Sequence, residues 1–342
     1  VRPALCVRAC YAIALRLPPP ASGALAALTR LHHAHRRWRD LIRVLSVEAE
    51  LTEQAEVATS ALFRIGQLHS QRLGNRDEAI TALERAVEFA PGDAIILDEL
   101  ARLYEEAGRW DALAKVLQQL TQTARDHTAR LGLLHRIGDL YATRLNQEAG
   151  AIHWFAAALA IESTHLPTLQ ALAPLYTKAE RWDALVQMYL DEAENASNGE
   201  RRAAAYARIG DLMEGQLGEV GGAIEHHEKA LATRPGYEPS FKALARLYAS
   251  TGRHRELVDL HERAVDVSDP DRAVAHLMKV GQLHEEALAD PANAAHAYKR
   301  ILQFQPGNLG AIHALQRATE TGGRFREHVE ALEGEVERTK DL

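Results

Sequence analysis

Apolar residues recur at helical spacing along nearly the whole chain. In residues 57–73, Leu62, Ile65 and Leu68 lie three residues apart, which places them on one face of a helix. The same spacing predicts helices over residues 76–90, 93–107 and 110–125. Strands would show alternating apolar and polar positions instead, so the pattern predicts an all-α chain.

Turn and capping residues separate these helices. Pro91-Gly92 is predicted to end the second helix, because neither residue continues a helix well. Asn75 is predicted to cap the start of that helix with its side chain. Asp269-Pro270 and Asp290-Pro291 combine an acidic cap with proline at the first helical position, and they predict two further helix starts.

Two short phrases repeat with a period of 71 or 72 residues. One is Arg followed by a ring-bearing residue, at Arg37-Trp38, Arg109-Trp110, Arg181-Trp182, Arg253-His254 and Arg324-Phe325. The other is an apolar residue followed by Gly, at Ile65-Gly66, Ile137-Gly138, Ile209-Gly210 and Val280-Gly281. Four helices per period form two hairpins, so the basic element is a helical hairpin of about 36 residues.

The first hairpin of each period resembles the tetratricopeptide repeat. The matching residues in the first copy are Leu62, Ile65, Gly66, His69, Ala79, Leu83, Ala86 and Pro91. Later copies carry Ile137, Gly138, Tyr141, Ala151, Phe155 and Ala158; Ile209, Gly210, Ala223, His227, Ala230 and Pro235; and Val280, Gly281, His284, Ala294, Tyr298, Ile301 and Pro306. The second hairpin is more divergent, and the helices of the first are separated by one residue more than is usual in this family.

The resemblance implies an all-α solenoid of about 19 antiparallel helices in a right-handed superhelix. The predicted divisions of this one continuous domain are an incomplete unit over 1–56 and repeat pairs over 57–126, 127–198, 199–269 and 270–342. Close approach of paired helices would explain Gly66, Gly138, Gly210 and Gly281. Large apolar plugs between hairpins would explain Trp38, Trp110 and Trp182.

Both chain ends fall inside the pattern. Residues 11–17 align with the second helix of a hairpin whose first helix is missing, and residues 325–340 form a last helix without a polar cap. One interpretation is a piece of a longer array. The other is end-to-end self-association through an apolar N-terminal face formed by Val7, Cys10, Tyr11 and Ala14.

Composition narrows the function classes. The net charge of −7 and pI near 6.2 argue against a nucleic-acid binder, although basic residues around Trp38 offer a short patch, interpreted here as a solvated helix end. No apolar stretch is long enough to predict a membrane span, and without a convincing export signal a cytoplasmic location is expected. Cys6 and Cys10 are too few for a disulfide framework or a Cys-based zinc site.

No motif for catalysis, cofactor binding or metal binding is recognisable. The 17 histidines include no His-Glu-x-x-His pair, and the chain has neither a phosphate-binding loop nor a nucleophile elbow. His69, His227 and His284 occupy positions where the repeat carries aromatic residues, so they are expected to pack. The chain is therefore not expected to be an enzyme, and no cofactor or metal is predicted.

The resemblance also implies a binding surface, because the first helix of each hairpin lines the concave face of tetratricopeptide arrays. Positions one after and three before the repeat glycine, or its equivalent, are expected to face that groove. The candidate partner-binding residues are Asp98, Arg102, His135, Asp139, Asp211, Lys242, Arg246, Gln282 and Arg317. Arg102 and Arg246 are expected to hold carboxylates of a peptide. The alternative is that Arg102 pairs with Asp139 and Arg246 with Asp211 inside the chain.

The function predicted from these features is a scaffold that binds an extended peptide or a helix of another protein. The alternatives are a regulatory or substrate-recruiting region of a larger enzyme, and an architectural repeat that assembles with itself. No nucleic acid and no membrane is expected as a partner. Tetratricopeptide proteins that grip chaperone tails use an asparagine, which is missing at these groove positions, so that activity is not expected.

Overall fold

The computed structural model describes residues 22–266 and 269–321, in which every regular element is helical. The chain divides into two compact units, residues 1–175 and 176–342. The prediction of an all-α repeat fold is confirmed. Two expected helices, over 11–17 and 325–340, lie outside the described residues, as do Cys6, Cys10 and the N-terminal apolar face.

Unit 1 contains eight complete helices within its described residues, and each packs against the next along the chain. They are α1 (Ser22–Ala34), α2 (Trp38–Leu51), α3 (Ala55–Leu68), α4 (Arg76–Phe89), α5 (Ala94–Ala107), α6 (Trp110–Thr123), α7 (His127–Thr143) and α8 (Glu148–Leu159). Helix α9 (Leu166–Lys178) begins in unit 1 and ends in unit 2.

Unit 2 repeats the arrangement, again with each helix against its successor. Its complete helices are α10 (Trp182–Asn195), α11 (Gly199–Leu212), α12 (Val220–Thr233), α13 (Glu238–Ser250), α14 (His254–Val265), α15 (Pro270–Glu286), α16 (Pro291–Phe304) and α17 (Leu309–Thr321). The odd-numbered helices are the first helices of the hairpins, and the even-numbered ones are the second.

A residue with left-handed backbone ends the first helix of each hairpin. Gly74 has a φ of 68°, and the equivalent Ala289 has a φ of 50° although it carries a β-carbon. The set alternates at spacings of 34 and 37–38 residues: Arg36, Gly74, Gly108, Asn146, Glu180, Gly218, Gly252 and Ala289. The turn geometry therefore follows the sequence repeat even where the residue type does not.

In two of the described hairpins, the extra residue between the helices is accommodated as a π-helical turn. Helix α3 continues into a π-helical segment, His69–Leu73, and α11 continues likewise into Met213–Leu217. A π turn inserts one residue without breaking the chain of hydrogen bonds. This explains why the predicted helix over 57–73 is continuous although the two helices of its hairpin are separated by one residue more than is usual in the family.

The predicted caps were right at two helix starts and wrong at one. The Asp269 carboxylate accepts a hydrogen bond from the Arg272 backbone N–H at 3.0 Å, and Asp290 accepts one from Asn293 at 3.1 Å. Asn75 makes no such bond with its side chain. Its backbone N–H instead donates to the His69 carbonyl at 2.9 Å, because the π-helical turn ends there.

Paired helices approach each other closely at the repeat glycines. A β-carbon on Gly138 would lie 2.5 Å from Cδ1 of Phe155, which is a distance that real contacts do not reach. The three equivalent positions give 2.8 Å for Gly66 with Leu83, 2.5 Å for Gly210 with His227 and 2.2 Å for Gly281 with Tyr298. Each glycine lies against the large residue 17 positions later, so the two positions form one packing element.

Each unit has its own apolar core. In unit 1, Leu83, Leu97 and Leu117 are fully buried, and in unit 2 Leu244 and Leu277 are. These residues come from both helices of a hairpin and from the next hairpin. A single hairpin leaves such faces exposed, so the core exists only where hairpins stack.

The recurring Arg-Trp phrase marks helix starts. Helices α2, α6 and α10 begin at Trp38, Trp110 and Trp182, each directly after its arginine. All three indoles are half-buried. The Arg144 guanidinium lies 5.0 Å from the ring centroid of Trp110 and covers its outer side. The indole thus packs on the core with one face and on a cation with the other.

Trp110→Ala is expected to lower the free energy of unfolding by about 2 kcal/mol, which is less than the 3–5 kcal/mol typical of a fully buried tryptophan. The smaller cost follows from the half-exposed indole. Chemical denaturation of the wild type and of Trp110→Ala measures this loss. Trp110→Phe, which keeps an aromatic ring at the site, is the control. A loss above about 4 kcal/mol would mean that the indole is fully enclosed in solution.

Candidate partner-binding surface

The first helices of the hairpins carry all nine predicted binding residues. In unit 1, Asp98 and Arg102 lie on α5, and His135 and Asp139 lie on α7. Asp98, Arg102 and Asp139 are exposed, whereas His135 is half-buried. We call the exposed side of the odd-numbered helices the first-helix face; each unit has its own.

Arg102 is held by its own helix. Its Nε donates to Glu99 at 3.0 Å, its Nη1 donates to Glu106, and its Nη2 donates to Ser70 of the preceding first-helix turn at 3.1 Å. The hydrogen bond to Glu99 is the largest cause of the raised pKa of Arg102. The alternative pairing of Arg102 with Asp139 is therefore wrong, because two nearer carboxylates engage the guanidinium.

His135 is a packing residue with a polar contact rather than a cation. Its Nδ1 lies 3.0 Å from the Thr168 hydroxyl, which also lies 2.7 Å from Nδ1 of His165. Burial, and after it the charge of His165, lower the pKa of His135. The imidazole is consequently neutral at pH 7 and offers a partner no positive charge.

In unit 2, Asp211, Lys242, Arg246 and Arg317 are exposed, and Gln282 is half-buried. The Lys242 ammonium lies 3.0 Å from the carboxylate of Glu238, one turn earlier on α13. These residues lie on four successive first helices, α11, α13, α15 and α17.

Arg246 and Arg317 each pair with a glutamate from the preceding first helix or its π turn. Both Nη atoms of Arg246 donate to the carboxylate of Glu214, with Nη2 to Oε2 at 2.7 Å. Arg317 donates to Glu285 through Nε at 3.2 Å and Nη2 at 3.1 Å. The predicted alternative of Arg246 with Asp211 is wrong in its partner, because Glu214 takes the bidentate place.

These glutamates were missed, although the repeat contains a signal for them. Glu214 and Glu285 lie 32 residues before their arginines and 71 residues apart, and Ser70 occupies the same position before Arg102. The hydrogen bond from Arg246 is the largest cause of the lowered pKa of Glu214, so this carboxylate stays charged. Comparing positions one helix turn beyond the repeat glycine would have identified the pairs.

The arginines of unit 2 keep donors for a ligand. A guanidinium carries five N–H groups, and Glu214 takes one from each Nη of Arg246. The Arg246 side chain is 59% exposed and that of Arg317 is 63% exposed. Within the described part of the chain, no group of three or more His, Cys, Asp or Glu residues is arranged to hold a metal. The exposed arginines of this surface can donate hydrogen bonds to anions.

Family models agree with the repeat. Models described as tetratricopeptide repeat match residues 59–93, 96–130 and 240–273. These three segments fall on hairpins α3–α4, α5–α6 and α13–α14. No curated protein matches the sequence.

Solved structures of similar fold share little sequence with the chain. The C-terminal part of a TPR repeat-containing protein from Cytophaga hutchinsonii is 18% identical over 74% of this chain and 99% of that one, with a TM-score of 0.35. YrrB, described as a TPR protein with an unusual peptide-binding site, is 14% identical over 56% and 97%, with a TM-score of 0.31. Likeness at this level adds nothing about function.

A tetratricopeptide repeat protein from Parabacteroides merdae is 16% identical over 77% of this chain and 99% of that one, with a TM-score of 0.30.

Among the described helices, none is both long enough and apolar enough to cross a membrane.

Proposed function

We propose, from the premise that the chain is a tetratricopeptide repeat protein, that it is an interaction scaffold whose first-helix face in unit 2 binds an acidic, extended segment of another protein. Arg246 and Arg317 would receive the carboxylates of that segment. The cytoplasmic location and the concave shape of this face stay predictions.

The observation that supports this proposal is that both arginines are held in place by hydrogen bonds to a glutamate. Each guanidinium is oriented by a carboxylate from the preceding first helix or its π turn, at 2.7 Å for Arg246 and 3.1 Å for Arg317. An arginine that is already ordered loses less side-chain entropy when it binds a ligand. The remaining N–H donors point away from the glutamate, so a second carboxylate can be bound from the exposed side.

Arg102 is expected to contribute less than Arg246 and Arg317 to binding the acidic segment. Glu99, Glu106 and Ser70 engage its Nε and both of its Nη atoms. Nη2 also donates to Glu99, so one N–H of the guanidinium is left and a bidentate ligand would have to displace a partner. Two carboxylates contact Arg102, whereas one contacts each of Arg246 and Arg317, so unit 1 is the weaker candidate for this ligand class.

Arg246→Glu/Arg317→Glu is expected to reduce partner capture by at least tenfold, since charged hydrogen bonds contribute about 1.5–3 kcal/mol each. The measurement is an affinity pulldown from a lysate of the native organism with the full chain as bait. The matched control is Arg43→Glu, which changes the charge of an exposed arginine on α2. Capture that is equal for the wild type and the double variant would remove unit 2's arginines from the binding site.

Glu214→Gln tests whether Glu214 positions Arg246 for the ligand or competes with the ligand for it. If Glu214 positions Arg246, the amide keeps one acceptor but weakens the pair, and the captured partner is expected to dissociate several-fold faster. If Glu214 instead competes with the ligand, the variant binds more tightly. Surface plasmon resonance with the captured partner distinguishes the two results, and tighter binding would contradict the positioning role.

A further inference from the structure

A depression of about 310 Å³ lies in unit 1, and no arginine lines it. It is bounded by the start of α3, the end of α4 and the start of α5. Its lining consists of Ala55, Glu56, Thr59, Ser60, Phe63, Phe89, Ala90, Asp93, Ile95 and Ile96. We call this feature the α3–α5 depression.

Large apolar side chains form its wall and remain open to solvent. Phe89 is 45% exposed and Ile95 is 68% exposed. Phe63 lies beside them and packs on the core of unit 1. Single exposed apolar residues are common on proteins, but apolar residues gathered around a concavity mark a binding surface.

The rim carries two acidic residues, of which one is hydrogen-bonded to the backbone and the other is not. Asp93 caps α5, since its carboxylate accepts hydrogen bonds from the backbone N–H of Ile95 at 2.9 Å and Ile96 at 3.3 Å. Glu56 is exposed at the start of α3 and makes no ion pair or side-chain hydrogen bond with the described residues. The rim therefore presents negative charge beside an apolar wall.

A buried hydroxyl in the lining also lacks a partner. Thr59 is 9% exposed, and its Oγ1 makes no hydrogen bond. The equivalent residues of the other copies are apolar, namely Leu131, Ala203 and Val274. Burying a hydroxyl without a hydrogen-bond partner is unfavourable. A polar residue has thus replaced an apolar one in the lining of the depression without a partner inside the chain.

The third and fourth copies of the repeat contain, at this place, the hydrogen-bond donor that the first copy lacks. In the third copy, Arg234 lies 2.7 Å from Glu200, the equivalent of Glu56. In the fourth, Gln305 donates to Asp271 at 2.9 Å. The residue that corresponds to Arg234 and Gln305 in the first copy is Ala90. Glu56 therefore keeps the carboxylate of the pair while the donor is missing.

We propose that the α3–α5 depression binds a segment of a partner protein that carries Lys or Arg next to an apolar residue. The cation takes, at Glu56, the place that Arg234 takes at Glu200. The neighbouring apolar side chain packs against Phe63, Phe89 and Ile95. This ligand is basic, in contrast to the acidic segment proposed for unit 2, so the two sites are independent and bind opposite charges.

Isoleucine-methyl NMR on the full chain tests the site directly. The probes are two nine-residue peptides, Gly-Ser-Gly-Leu-Arg-Phe-Gly-Ser-Gly and the same peptide with Glu in place of Arg. The Ile95 methyl signal, assigned with Ile95→Val, is expected to shift on titration with the Arg peptide. The dissociation constant of the Glu peptide is expected to be at least tenfold higher.

Ala90→Arg is the decisive variant, because it rebuilds the pair that closes the third copy. It is expected to fold normally, since arginine occupies the equivalent position 234, and to raise the dissociation constant of the Arg peptide at least tenfold. Glu56→Lys is expected to reverse the preference between the two peptides. Arg246→Glu/Arg317→Glu, which changes the first-helix face of unit 2 alone, is expected to bind the Arg peptide like the wild type.

Three results would overturn the proposal. The first is an Ile95 signal that does not respond to the Arg peptide. The second is a response that Ala90→Arg and Glu56→Lys leave unchanged while circular dichroism shows both variants folded. The third is an Ile95 signal that moves with protein concentration in the absence of peptide, which would assign the depression to a second copy of this chain.

Discussion

Gly138→Ala is expected to lower the free energy of unfolding by about 2–3 kcal/mol in the wild-type chain and to raise it in a chain that carries Phe155→Ala. The new β-carbon would lie 2.5 Å from Cδ1 of Phe155, which is 1% exposed and has no space to move into. With the ring removed, the clash disappears. Alanine then gains its intrinsic advantage over glycine in a helix, about 1 kcal/mol.

A double-mutant cycle measures this coupling. Phe155→Ala alone is expected to cost about 3–5 kcal/mol, as for other fully buried aromatic residues. Chemical denaturation of the wild type, both single variants and the double variant gives the interaction energy. Costs that simply add would mean that the two helices do not approach closely at Gly138, and would contradict the packing element formed by the two positions.

Unit 2 is expected to lose about 2 kcal/mol of stability as the pH falls from 6.5 to 4, owing to one pair of histidines. Nδ1 of His261 on α14 lies 3.0 Å from Nδ1 of His276 on α15, and Phe241 packs on both rings. Burial, with the neighbouring His276 and Lys279, lowers the pKa of His261 to about 4. In the unfolded chain this pKa is about 6.5.

The direction follows from proton binding. Between pH 6.5 and 4 the unfolded chain binds a proton at His261 that the folded chain excludes, so acid favours unfolding. The full difference would correspond to about 3 kcal/mol, which we reduce to about 2 because the ring is only partly buried.

His261→Phe is the matched control, since phenylalanine keeps the contact with Phe241 but does not titrate. Its free energy of unfolding, measured by urea denaturation at pH 7 and pH 4.5, is expected to fall by about 2 kcal/mol less than that of the wild type. Equal losses in the two proteins would place the acid sensitivity elsewhere, for example at His227, whose pKa is also lowered by burial.

The elements of the fold could be predicted because their causes are local. The predicted helix over residues 93–107 corresponds to Ala94–Ala107, and Pro91-Gly92 follows a helix that ends at Phe89. Asp269 caps α15 with its own carboxylate, three residues from the N–H that it binds. Apolar spacing, capping and turn chemistry all act within about one helical turn, so one sequence is enough to identify them.

The candidate sites could be predicted only in part, because their contacts join residues far apart in sequence. The positions of Arg246 and Arg317 on the first-helix face followed from the repeat, but the glutamates that bind them lie 32 residues earlier. The wrong choice of Asp211 shows the limit: it is one helix turn from Glu214, and only the orientation of the helices decides which carboxylate the guanidinium reaches.

The all-α repeat, its period and the buried face of each helix follow from the amino-acid sequence alone, since periodic apolar residues and turns act through neighbouring positions. The pairing of charges, the burial of particular histidines and the open α3–α5 depression, where Ala90 stands in place of an arginine, arise only when the helices pack together. Those properties depend on distances between helices, which stacking sets and which no single helix contains.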